Sequence, residues 1–121
     1  MHYSVELEVP ADTPVLTPVT APLELPVGFL RHTTIVFPPG CSRMVLVCIL
    51  EGATQLFPRN SDLKYAEDGY HFEIDEFYRM DTAKTLTVSA SSAGTAYKHV
   101  ISIHYEVVTQ EDLAMERSGY Y

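Results

Sequence analysis

The sequence has no tryptophan, only two cysteines, and half as many basic as acidic residues, eight against 16. Its longest unbroken apolar run, Met44–Leu50, is short. Each scarcity excludes something. A membrane-spanning helix needs about 20 apolar residues, so none is expected. A formal charge of −8 supplies no basic patch to neutralise phosphates, which argues against nucleic acid and against an anionic membrane surface as partners. Cys41 and Cys48 lie about 20 Å apart if the chain between them is extended, beyond disulfide reach. Two free thiols in a chain made in a reducing compartment are expected. The opening residues, Met1 to Glu6, have neither a basic nor an apolar region of the signal-peptide kind.

Catalytic signatures are scarce too. There is no Cys-x-x-Cys or His-x-His spacing for zinc, no Gly-x-Ser-x-Gly elbow and no glycine-rich phosphate loop. Glu73 and Asp75 share a strand face and have no opposite number across a cleft, as glycosidase chemistry requires. His2, His32 and His104 could supply a metal site only if three strands brought them together. Asn60, Asp62, Glu67 and Asp68 offer calcium-type oxygens, but not at EF-hand spacing. The expectation is a non-enzyme without cofactor or metal.

What is present is β-structure. The chain of 121 residues is 46% apolar, with eight Tyr and five Phe, enough for one domain with its own core. The organising stretch is Phe37–Phe57. Met44–Leu50 reads as a central strand buried on both faces, bounded by the Pro39-Gly40 turn and the Glu51-Gly52 break. Around it, His2–Val9 alternates with Tyr3, Val5, Leu7 and Val9 on one face. Leu30–Phe37 alternates with Leu30, His32, Thr34 and Val36 together. Gly69–Asp75 turns Tyr70, Phe72 and Ile74 inward. Lys84–Ser91 turns Leu86, Val88 and Ala90 inward. Tyr97–Val108 is the longest strand, and Glu76–Thr82 is a connection. Thr109 caps a short C-terminal helix whose acidic first turn suits the helix dipole, with Gly119 placed to end it. The sum is an all-β, two-sheet antiparallel sandwich of about eight strands, Greek-key or jelly-roll in kind. It forms a single domain over 1–121, with a tail from 109 to 121.

The segment from Val9 to Val27 is the unusual one. Prolines recur at positions 10, 14, 18, 22 and 26. In an extended chain that spacing removes donors from one edge only, so the segment cannot be central in a sheet. Two readings follow: a strap laid across a neighbour, or two short edge strands joined by turns, with Val19–Leu25 as the second. Its apolar side chains make Val15, Leu16, Val19 and Leu23 the candidate interaction residues. Tyr120 and Tyr121 at the chain end join them, because a ring with a polar tip suits an interface.

A compact acidic β-domain with a Pro-interrupted segment, no secretion signal and no catalytic motif resembles the small all-β accessory proteins of tailed bacteriophage virions, such as capsid decoration or cement proteins. The phrases Val36–Cys41 (V-F-P-P-G-C) and Leu56–Asn60 (L-F-P-R-N) have the look of a family signature. The resemblance implies a structural virion protein that forms a homo-trimer or other homo-oligomer and binds a major capsid protein. Two other classes compete: a lectin-like or receptor-binding sandwich presenting exposed aromatics, and a small cupin-like metal enzyme with histidines inside its barrel.

Overall fold

A computed structural model of the chain describes residues 2–60, 63–112 and 114. Nine strands form among them: β1 His2–Val9, β2 Val19–Leu25, β3 Gly28–Phe37, β4 Leu46–Glu51, β5 Thr54–Phe57, β6 Tyr70–Ile74, β7 Tyr78–Met80, β8 Lys84–Ser91 and β9 His99–Val108. They make two antiparallel sheets, one ordered β1-β9-β3-β6 with β7 also on β3, the other β2-β8-β4-β5. If β6 and β7 count as one interrupted strand, β1 pairs with β9, β2 with β8, β3 with β6/β7 and β4 with β5. Two further ladders, β9 on β3 and β8 on β4, close that ribbon into a roll. This is jelly-roll topology, and it establishes the two-sheet antiparallel sandwich.

Alternation explains the core. Leu7 and Val9, Leu23 and Leu25, Ile35 and Phe37, Val47 and Ile49, Leu86 and Val88, and Ile101 and Ile103 all face the space between the sheets and are buried. The outward face of β1 is polar, with His2, Ser4, Glu6 and Glu8 in water. Gly28, where β2 turns into β3, has φ +145° and no room for a side chain: a Cβ there would lie 2.5 Å from the Val108 carbonyl oxygen.

Several expectations need correction. The central strand starts at Leu46, and Met44 is 39% exposed. Only Val47, Cys48 and Ile49 of β4 are fully buried, while Leu46 is half-buried on the outer face. The regular alternation expected in β3 is broken by a bulge at Arg31, where the register shifts between Leu30 and His32. An extra residue reverses side-chain parity, so Leu30 points inward but His32, Thr34 and Val36 do not; Thr33, Ile35 and Phe37 take the core. The connection 76–82 contains strand β7. β9 begins at His99, leaving Tyr97 exposed, and Tyr70 is exposed at the start of β6. Cys41 and Cys48 are free and buried, and burial raises both thiol pKa values. No described helix is long and apolar enough to cross a membrane.

Thr109 does cap the C-terminal helical turn. Its Oγ1 accepts the Asp112 N–H at 3.1 Å, and the Thr109 N–H donates to the Asp112 carboxylate at 3.0 Å. This reciprocal pair is a capping box. Gly119, Tyr120 and Tyr121 lie outside the described residues.

Candidate functional site

The Pro-interrupted segment divides in two. Its second half is β2, an edge strand that pairs with β8 and with no other described strand. Leu23 is 0% exposed and belongs to the protein's own core, which corrects its assignment to an interaction surface. Val19 is half-buried and packs against that core. A proline-bearing strand can still bury its inward face, because donor loss affects pairing at an edge and not the side chains.

The first half is a loop fastened to the β8–β9 connection. The Asp12 N–H donates to Thr95 Oγ1 (3.0 Å), and the Asp12 carboxylate accepts the Gly94 N–H (2.8 Å). The Thr13 N–H donates to Ser92 Oγ, and the Ser92 N–H returns a bond to the Thr13 carbonyl, both at 3.0 Å. Thr13 Oγ1 and Ser92 Oγ both donate to the Pro10 carbonyl. Thr13 and Ser92 are buried, so these bonds replace water on groups that would otherwise be unsatisfied. Beyond this base a turn closes with the Thr17 N–H donating to the Pro14 carbonyl at 3.2 Å. That turn rules out a continuously extended strap. It places Val15 and Leu16 at its two central positions, 54% and 94% exposed. Two apolar side chains in water on a fixed loop form a knob.

The same end of the sandwich holds the 38–45 and 58–69 connections. Asp68 accepts the Gly40 N–H at 2.9 Å, and Glu67 lies 3.9 Å from Arg43. Gln55 Nε2 donates to the carbonyls of Pro58, Asn60 and Leu63. An amide nitrogen thus occupies the point where those three carbonyls of the acidic loop converge; Asp62 lies outside the described residues. His99 is buried at this end with Nδ1 unpartnered. A separate groove of about 280 Å³ is lined by Thr34, Val36, Pro38, Pro39, Tyr70 and His71, with the Tyr70 and His71 rings stacked 5.0 Å apart.

The β3 bulge builds a polar cluster on the outer face of the first sheet. Arg31, the extra residue, grips Glu106 with two bonds, Nε to Oε1 at 2.9 Å and a terminal nitrogen to Oε2 at 3.1 Å. Those bonds hold the Glu106 carboxyl below its ordinary pKa, with help from the Arg31 charge and from His2 at 3.6 Å. His32 Nδ1 meets Asp75, and its Nε2 lies 3.2 Å from Thr34 Oγ1 and 3.6 Å from Glu73. Thr34, His32 and Asp75 therefore follow the order of a nucleophile, base and orienter. However, Thr34 sits mid-strand, with Glu73 and His104 opposite it in ladders on both sides. Its backbone is committed to the sheet on both sides, unlike the strained turn on which a triad nucleophile is presented. The sequence hinted at this cluster only through the two-residue spacing of His32 and Thr34; Asp75 joins it through strand pairing. His2, His32 and His104 do share this face, but among the described residues no three His, Cys, Asp or Glu side chains are grouped to hold a metal ion.

No protein-family model matches the chain, and no curated protein matches it.

Proposed function

We propose that the protein is a non-enzymatic assembly protein that docks on a larger structural protein, in the manner of a capsid decoration protein made in the host cytoplasm and incorporated into a virion. One observation carries the reading: the Val15–Leu16 knob, apolar and exposed, stands on a loop that Asp12, Thr13, Ser92 and Thr95 hold rigid. A preorganised apolar projection loses little conformational entropy on binding, so its burial adds directly to affinity. The side chains the loop spends on hydrogen bonds are those a mobile linker would leave in water. Jelly-roll domains occur among capsid proteins, lectins and cupins alike, so the fold alone does not choose between these classes. A cupin-type site would need a cluster of histidines within the roll; His2, His32, His71 and His104 lie on the outer face of the first sheet, and His99 alone of the five faces inward.

The test is a Val15→Ser/Leu16→Ser variant. Wild-type protein should co-sediment with capsid shells of the virus that encodes it, and the variant should lose that binding while melting within a degree or two of wild type. Undiminished binding by a folded variant would refute the docking role. A second reading, sugar or receptor recognition, is favoured by the stacked Tyr70–His71 pair beside the groove. It predicts glycan-array binding that Tyr70→Ala abolishes and the knob variant leaves intact.

A further inference from the structure

The two sheets have four outer edges, and three are blunted. β5 is four residues long, its ladder shifts register between Ile49 and Leu50, and the chain after it returns to pair Tyr65 with Val47. The opposite edge of the first sheet is split into β6 and β7, of five and three residues. β2 carries Pro22 within it and Pro18 and Pro26 at its ends, and its Glu24 carbonyl already accepts the Tyr105 hydroxyl at 3.1 Å. β1 has none of these devices. It runs eight residues without proline, each in unbroken register with β9, and no other described strand pairs with its outer edge. A long, regular edge with no proline, bulge or break is a template for another strand, provided its exposed charges, here Glu6 and Glu8, meet compatible partners.

We propose that β1 pairs antiparallel with β1 of a second copy of this chain, around a two-fold axis at Val5. The side chains fit that partner. On the outer face, the axis sets His2 opposite Glu8 of the second copy and Ser4 opposite its Glu6. On the inner face, Tyr3 meets Leu7 and Val5 meets Val5. Each outward carboxylate then faces a histidine or a hydroxyl. Moving the axis to Glu6 would set Glu6 against Glu6, and moving it to Ser4 would leave Glu8 beyond the junction. Paired residues differ by an even number, so both turn their free backbone groups toward the junction or both turn them away, as an antiparallel ladder requires. Within one copy, Lys98 contacts Glu8 at 3.4 Å and His2 contacts Glu106 at 3.6 Å. Both contacts run along the β9 side of β1. The β1 edge is separate from the Leu16 knob, which lies in the loop beyond Val9, so either interaction can fail without the other.

The experiment is sedimentation velocity on the full chain from low micromolar to several hundred micromolar, with two variants at exposed positions. Wild type should show a monomer–dimer equilibrium. Ser4→Glu sets a second carboxylate opposite Glu6, twice per dimer, and should raise the dimer Kd roughly tenfold. Adding Glu6→Lys turns both repulsions into attractions and should restore the wild-type Kd. Both variants should keep the wild-type circular dichroism and, at dilution, its melting temperature. A wild type that stays monomeric would overturn the proposal, as would a trimer, since a two-fold edge closes at two copies. A dimer indifferent to Ser4→Glu, or one that Glu6→Lys does not rescue, would overturn the register.

Discussion

β1 and β2 hold equivalent places, each the edge strand of its sheet on the same side of the sandwich, and each bonded to a single neighbour. Both bury their alternate apolar residues, Leu7 and Val9 in one, Leu23 and Leu25 in the other. They differ in donors. β2 has prolines within it and at both ends, while β1 keeps every N–H. The pair separates two properties that are easily confused. Inward packing is decided by side-chain alternation and survives prolines; the capacity to accept another strand is decided by backbone donors and does not.

The largest effect that can break this comparison is in the core of β2. Leu23→Ala should destabilise the protein by about 2–5 kcal/mol, measured by denaturant unfolding. A near-neutral result would mean that β2 is a surface strap after all. Next comes the fastening of the loop between the two strands. Ser92→Ala removes the acceptor of the buried Thr13 N–H and a donor to the Pro10 carbonyl, and should cost about 1–3 kcal/mol. A loss no greater than that of an exposed serine would show that the knob has no rigid base.

The third prediction concerns pH on the β1 side. Glu106, beside His2, has its pKa held below the ordinary 4.5 by Arg31. A depressed carboxyl contributes stability above its unfolded pKa and loses it as pH falls through the folded pKa. Wild type should therefore exceed Glu106→Gln in stability at neutral pH, and the gap should close below about pH 4.5. A gap independent of pH would assign the effect to packing. The smallest change in stability, within about 0.5 kcal/mol, is expected for Pro22→Val. This variant returns a donor to β2, and its self-association by sedimentation should exceed that of wild type. Unchanged association would show that something other than the prolines keeps that edge closed.

Much of the fold was legible in the chain because the regular strands set their apolar residues at alternate positions. In His2–Val9, Lys84–Ser91 and His99–Val108 the apolar set expected to face inward lies on the core side, with Ser89 and Ser91 of β8 and Val108 of β9 buried in addition. The bulge in β3 was hidden. One extra residue leaves no compositional mark, yet it moved His32, Thr34 and Val36 off the core side. β7 was hidden because three residues are too few for periodicity. At the loop end, Val15 and Leu16 could be named as apolar residues in a proline-rich stretch. Leu23 had the same credentials and went to the core, because it falls in phase with Leu25 on a paired strand. The partners that fasten the knob, Ser92, Gly94 and Thr95, are some 80 positions away from Pro10–Thr13 in sequence, with separations of 79 to 83 residues, and no local pattern connects them.

By itself the sequence determined the all-β class, the inward faces of the regular strands, the acidic surface and the inability of β2 to stand inside a sheet. These are properties of side-chain period, charge and missing N–H groups, and each is written locally. Tertiary structure alone decided the jelly-roll order, the bulge that gathers Arg31, His32, Asp75 and Glu106, the pinning of the 10–18 loop, and which of the four sheet edges is longest and unbroken in register. Those outcomes depend on which distant strands pair and in what register, and register is set by the fit of two faces in a shared core.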